Sequence, residues 1–257
     1  MKNALLILLC SALGCAAVPL GFNKPRVGGT NLIFWMTFNE NTGTNAANSA
    51  GLANNGQLRN SAFWKNGIAS SAVGFTTNAG GNGTYVYVAD STNLVNMTTN
   101  AFTICCWVCM TNPPPSGKQS VWLHKSTSSF SGGGFSFKYD QTGAPSYAIN
   151  LCKDGVSDQN VNCTIATNAW IFVAAVEKYS GSAFTSVTYY TNGVAVGSYS
   201  QSSNFQSSSG NPLNIGGGDN TWSAGLGSGG FVDDVELFNR ALTDAEILQL
   251  YNDHGAR

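Results

Sequence analysis

Few residues in this chain can move protons or act as nucleophiles. Among its 257 residues are four glutamates, Glu40, Glu177, Glu236 and Glu246, and two histidines, His124 and His254. Glycoside hydrolysis needs a pair of carboxylates flanking the scissile bond, and a strand supplies such a pair at alternating positions. Asp154 and Asp158 flank a turn and lack that alternation; Asp234 and Glu236 share a strand face. His124 has no Gly-x-Ser-x-Gly partner and His254 lies in the tail, so a Ser-His-Asp set is unsupported. No catalytic residue is assigned. The glycines at 225–229 precede no helix that would receive a phosphate.

Seven cysteines are present. Cys10 and Cys15 fall in the apolar start, which leaves an odd number in the remainder, so an oxidising compartment leaves at least one unpaired. Cys105, Cys106 and Cys109 share one strand-like run and have no zinc spacing, so they read as small buried hydrophobes. Cys152 and Cys163 flank a polar turn and are placed to staple a hairpin with a disulfide; two plain thiols are the alternative. Sugar recognition asks for an aromatic face with amides and carboxylates around it. Trp222 offers this in a glycine-rich loop beside Asp219 and Asn220, and Trp122 is a second candidate ligand residue. The competing reading has Trp222 tucked under its own loop.

The composition limits the partners. Charged residues are 10% and the net charge is −1, without runs of Lys or Arg, so nucleic acid and anionic membrane surfaces are excluded as partners. Solubility rests on Asn, Ser, Thr and Gly, which suits an exported β protein. Residues 1–20 read as an export signal, with Lys2 ahead of an apolar stretch and small residues near its end; lipid attachment at Cys15 is the rival reading. No second apolar run follows to span a membrane. Residues 21–31 read as a linker or N-terminal arm, and residues 32–257 as one domain.

The elements that must carry these residues are strands. Short β-like runs at 32–38, 85–88, 102–110, 120–124, 134–139, 146–152, 170–178, 186–191, 195–200, 211–215 and 231–238 are broken by Gly, Asn, Ser and Pro. Phe135, Phe137 and Tyr139 alternate with Ser136 and Lys138. Asn192-Gly193 between two such runs signals a tight hairpin. One helix stands out at the C-terminus, where Thr243 and Glu246 form a capping box and Ile247, Leu250 and Tyr251 share a face. The predicted fold is all-β, a two-sheet antiparallel jelly-roll sandwich with a short C-terminal helix.

The segment Phe231-Val232-Asp233-Asp234-Val235-Glu236-Leu237-Phe238-Asn239-Arg240-Ala241-Leu242 and the helix after it resemble the closing motif of laminin-G-like, concanavalin A-like lectin/glucanase domains. Phe34-Trp35-Met36-Thr37-Phe38-Asn39-Glu40 resembles the opening motif, with Asn39 where the family has Asp. Further blocks at 102–108, 167–174, 187–193 and 213–216 follow in family order, so the resemblance covers about 32–252. It implies a concanavalin A-like jelly roll, core roles for Trp35, Trp107 and Trp170, and no particular ligand. The β-glucan-cleaving relatives carry a Glu-x-Asp-x-Glu type strand that this chain lacks. The resemblance also implies a structural calcium held by Asp233, with Asn39 and Gly56 as ligands from the opening segment; the alternative is that Asp233 and Asp234 only hydrogen-bond a turn.

These readings converge on a secreted or cell-surface, non-catalytic binding module for carbohydrate recognition or adhesion, whose partner is a glycan or a cell-surface protein. The alternatives are a structural or assembly protein of the cell surface and a glycoside hydrolase of atypical motif.

Overall fold

The computed structural model describes residues 27, 29–51, 54–76, 83–96, 99–126, 133–143, 146–153, 158–200, 203–217 and 229–255. The export signal, Cys15 and most of the 21–31 arm lie outside these residues. Among them the strands are β1 (Leu32–Met36), β2 (Asn45–Ala46), β3 (Gly56–Arg59), β4 (Phe63–Asn66), β5 (Ser71–Phe75), β6 (Tyr85–Val88), β7 (Phe102–Met110), β8 (Gln119–Lys125), β9 (Phe135–Gly143), β10 (Ser146–Lys153), β11 (Asn160–Asn162), β12 (Ile171–Ser180), β13 (Ala183–Thr191), β14 (Val194–Ser200), β15 (Leu213–Ile215) and β16 (Gly230–Phe238). The helices are α1 (Thr92–Asn96) and α2 (Asp244–Gly255).

Two antiparallel sheets stack into a sandwich. Sheet A runs β14-β13-β12-β7-β16-β5-β4, with β1 also on β16; sheet B runs β11-β10-β9-β8-β15-β6-β3-β2. Alternating side chains of both sheets meet in one core. Ile104, Cys106, Val108, Val173 and Tyr189 from sheet A face Leu123, Phe135, Phe137, Ile149 and Leu151 from sheet B. A second cluster explains why β7 is buried at every position. Its odd-numbered residues Cys105 and Trp107 point to the other face of sheet A, where α2 covers them with Ile247 and Leu250. Tyr251 stacks on Trp107 with ring centroids 5.5 Å apart. Val27, from the arm, joins the same cluster.

Local chemistry fixes the joints. The Thr243 hydroxyl accepts the Glu246 N–H at 3.3 Å, and a Glu246 carboxylate oxygen accepts the Thr243 N–H at 2.9 Å, completing the capping box. Asn192 and Gly193 adopt φ of 49° and 79°, the two positive values a two-residue hairpin of this kind requires.

The paired aspartates mark a seam. β16 pairs with β5 over Gly230, Phe231 and Val232, then with β1 from Val235 to Phe238. At the changeover the register against β7 slips between Asp233 and Glu236, and Asp234 takes φ of 44°. Such a bulge leaves backbone groups out of the ladder. The side chains close the gap: Asp233 Oδ2 accepts the Ile68 N–H at 2.9 Å, and Asp234 Oδ1 accepts the Trp35 indole N–H at 3.2 Å.

Candidate functional site

The face of sheet B turned away from the core is polar. On β9 the alternation that sends Phe135, Phe137 and Tyr139 inward sends Ser136, Lys138 and Asp140 outward. The register sets His124 opposite Ser136, Asn214 opposite His124, Asn150 opposite Lys138 and Gln119 opposite Asp140. His124, Ser136, Lys138, Asp140, Asn150 and Asn214 are all buried. Burial first, and then the charge of Lys138, hold the His124 imidazole down to about 4, so it is neutral at physiological pH.

Lys138 organises the middle of this face. Its Nζ lies 3.5 Å from Asp140 Oδ2 and 3.2 Å from Asp158 Oδ1. Asn150 Nδ2 donates to the same two oxygens, at 2.6 and 2.9 Å. Burial works to lower the Lys138 pKa, but the two carboxylates outweigh it and the net shift is upward. Burial raises Asp140 above the usual carboxylate range. Burial also works to raise Asp158, but Lys138 and its hydrogen bonds bring it below that range. Beyond this cluster, toward β11, the surface opens into a cleft of about 170 Å³ whose lining includes Lys118, Gln119, Asp140, Asp158 and Asn160. The cluster can accept hydrogen bonds from a ligand at its rim. The space between its two carboxylates is already held by Lys138 and Asn150.

The site residues expected from sequence fall elsewhere. Asp219, Asn220 and Trp222 lie outside the described residues. Trp122, expected at a ligand, is fully buried: it packs edge-on to Phe137 at 5.0 Å and stacks on Tyr139 at 6.2 Å. The β8 register slips against β9 between Val121 and Leu123, which turns Trp122 into the core along with Leu123. The Cys152–Cys163 disulfide is also corrected: neither sulfur is in a disulfide. The β10–β11 register pairs Ala148 with Asn162, and the Cys163 N–H donates to Tyr147 O, so Cys163 sits well down β10 from Cys152. That offset is roughly 16 Å along a strand, far beyond the reach of a disulfide.

The three expected calcium ligands are divided. Asp233 Oδ1 accepts the Asp234 N–H at 2.8 Å and its Oδ2 the Ile68 N–H. Asn39 is exposed and follows Phe38, whose carbonyl accepts the Ser71 hydroxyl at 2.6 Å, so Asp233 and Asn39 border one turn. Gly56 belongs to β3 in the other sheet, where a Cβ would strike Val86 and Met36. Among the described residues no group of three or more His, Cys, Asp or Glu side chains is placed to hold a metal ion.

The polar cluster itself was not assigned from sequence. Its signal was the alternation of Ser136 and Lys138 on β9, which continues to Asp140; what could not be read was that Asp158 and Asn150, from neighbouring segments, complete it.

No curated protein matches the chain in sequence. Solved structures with the same fold include the binding domain of Paraclostridial Mosquitocidal Protein 1, at TM-score 0.65 and 13% identity over 87% of this chain and 52% of that one. A botulinum neurotoxin type C structure, whose cell entry depends on interaction with two ganglioside molecules, aligns at 0.64 and 14%, over 87% and 51%. The binding domain of botulinum neurotoxin DC in complex with rat synaptotagmin II aligns at 0.63 and 15%, over 87% and 52%. The chain thus spans about half the length of these structures. A family profile for the concanavalin A-like lectin/glucanases superfamily, of laminin-G type, matches residues 79–248. With two antiparallel sheets, a bulged Asp-Asp closing strand and a C-terminal helix over sheet A, the chain belongs to the concanavalin A-like lectin/glucanases superfamily.

Proposed function

We propose that this chain is a non-catalytic recognition module acting outside the cell, whose ligand is a glycan, free or carried on a cell-surface protein. The observation that carries the reading is the Lys138 cluster. Hydrolysis would need one carboxyl free to give a proton and another facing the sugar ring across open space. Here one lysine and one asparagine occupy the gap between Asp140 and Asp158 and hold both carboxylates. Such an arrangement supports fixed acceptors for hydroxyl groups in place of acid–base turnover. The toxin binding domains that share the fold, one of them solved in complex with rat synaptotagmin II, support the same class of function. No helix among the described residues is long and apolar enough to cross a membrane.

Two subsidiary elements belong to the proposal. The loop of Asp219, Asn220 and Trp222 supplies an aromatic contact, and a structural calcium sits between Asp233 and Asn39, which border one turn. The test is a glycan array with the full chain, run beside reducing-sugar release from β-glucans. Selective retention on glycans without sugar release is the expected result, weakened by Trp222→Ala. Sugar release abolished by Asp140→Asn would replace this reading with a hydrolase. Chelation by EDTA lowers the melting temperature where calcium binds the native state alone; an unchanged melt removes the calcium.

A further inference from the structure

The cleft at the β11 end of sheet B is lined by acceptors that lack donors. Asp140 is 5% exposed. Its Oδ2 is used by Asn150 and Lys138, while its Oδ1 has no hydrogen-bond partner among the described residues. Gln119 Oε1, directly across the strand pair, and Asn160 Oδ1 are in the same state. All three residues line the one cleft. Buried polar atoms in native proteins are nearly always bonded, so three unbonded oxygens on residues that line one opening mark a place for a donor-bearing occupant. Gln119 and Asn160 are half-buried and can turn about their side-chain torsions to admit it.

Charge selects the donor. The carboxylates of Asp140 and Asp158 are matched by Lys138, in contact with both, and by Lys118 on the lining. A neutral cleft offers a cation no net attraction, and an anion would meet the carboxylates of Asp140 and Asp158 as well as Lys118. Neutral hydroxyl groups fit both conditions. The volume, about 170 Å³, is the room of five or six waters at roughly 30 Å³ each, which suits one sugar ring and no more. Among the described residues no aromatic side chain lines the cleft, so hydrogen bonds hold the ring.

We propose that the cleft binds the terminal ring of a neutral hexose, with neighbouring hydroxyls donating to Asp140 Oδ1 and Gln119 Oε1 and a third to Asn160. This rests on the glycan-recognition reading and gives it a subsite. Binding by hydrogen bonds alone implies a dissociation constant on the order of 1 mM.

The test is nuclear magnetic resonance of the ¹⁵N-labelled full chain, following the side-chain NH₂ signals of Gln119 and Asn160 during titration with glucose, galactose and mannose, and separately with calcium chloride. Saturable movement of both signals with one hexose is expected, weakened at least tenfold by Gln119→Leu and by Asn160→Leu. Both positions are half-buried, and an unchanged melting temperature confirms that the variants fold. Hexose binding unaffected by either variant overturns the subsite while leaving glycan recognition intact. Movement with calcium alone overturns the hexose assignment. Signals that stay fixed with every hexose, with the Gln119 amide already bonded to Asp140 in the free protein, overturn the proposal outright; glycan recognition falls with it only if the array is also empty.

Discussion

Lys153 and Lys138 stand on adjacent strands of sheet B and face opposite ways. Lys153 points between the sheets. Its Nζ lies 3.0 Å from Glu177 Oε1, donates to Ser203 O at 2.8 Å and sits 4.9 Å from the ring centroids of both Phe184 and Phe205. Neither side chain of the pair has any exposure. Burial drives both partners toward neutrality, lowering Lys153 and raising Glu177 to about 7 against their mutual attraction. Lys138 points outward, and two carboxylates raise its pKa against burial. The inner pair is enclosed by protein, with neither side chain exposed to a ligand. The outer cluster ends at a cleft with acceptor capacity to spare. Ion pairs of similar composition therefore have different consequences, decided by which side of one pleat each lysine occupies.

The largest effect should come from breaking the inner pair. Lys153→Ala leaves Glu177 buried without its partner and removes the cation from two aromatic rings, at a cost of about 3–5 kcal/mol. Urea unfolding measures it, and Lys153→Met combined with Glu177→Leu should recover most of the loss. A loss below about 1 kcal/mol would mean that the inner pair is no more costly to break than a surface pair, and the contrast would collapse. The pH dependence sharpens the same point. Glu177 keeps its proton to about 7 in the native state, against 4.5 as the reference, so its contribution is complete below about 4.5 and is lost as pH rises through 7, on the order of 3 kcal/mol. His124, held down to about 4, acts in the opposite direction over part of that window. The measurement is therefore the difference between wild type and Glu177→Gln, whose stability should lack the fall between pH 4.5 and 7.

The outer cluster should respond less in stability and more in binding. Asp140→Asn leaves Lys138 with Asp158, so unfolding free energy should drop by only about 1–2 kcal/mol, while hexose binding at the cleft is lost. A variant that unfolds as readily as Lys153→Ala would show that Asp140 serves the fold in the way Glu177 does.

Much of this architecture was legible in the sequence, and the failures have physical causes. β6 and β7 were read to their end residues because their patterns are strong: alternation in the first, and in the second a run of nine residues of which only Thr103 is polar. β2, β3, β4, β5 and β11 were missed. Each is two to five residues long. Gly56-Gln57-Leu58-Arg59 shows one large apolar side chain, too little to signal a period. The Asp-Asp motif located the closing strand, but its seam between β5 and β1 depends on pairing across distant segments. Trp122 was misjudged because a one-residue slip in β8 reverses which face a side chain takes. The Lys138 cluster joins β9, β10 and the segment before β11, and spacing along the chain does not report cross-strand neighbours.

An exposed pair completes the contrast. Arg240 Nη1 donates to Glu246 Oε2 at 2.9 Å, at the start of α2, and the two side chains are 30% and 28% exposed. The Arg240 hydrogen bonds, supported by the Thr243 cap, bring Glu246 to about 2 despite some burial. A depressed carboxylate contributes stability that is present above its reference of 4.5 and is lost as pH falls toward 2. Solvent screening reduces that contribution to about 1 kcal/mol or less. Glu246→Gln should therefore cost little at pH 7 and nothing below about pH 2, and its cost should shrink further in 1 M salt, where the screening length is about 3 Å. Salt should leave the Lys153→Ala penalty unchanged, because no solvent reaches that pair. Equal salt sensitivity in the two would show that water enters between the sheets at Glu177, and the distinction between an enclosed pair and an open one would have no basis.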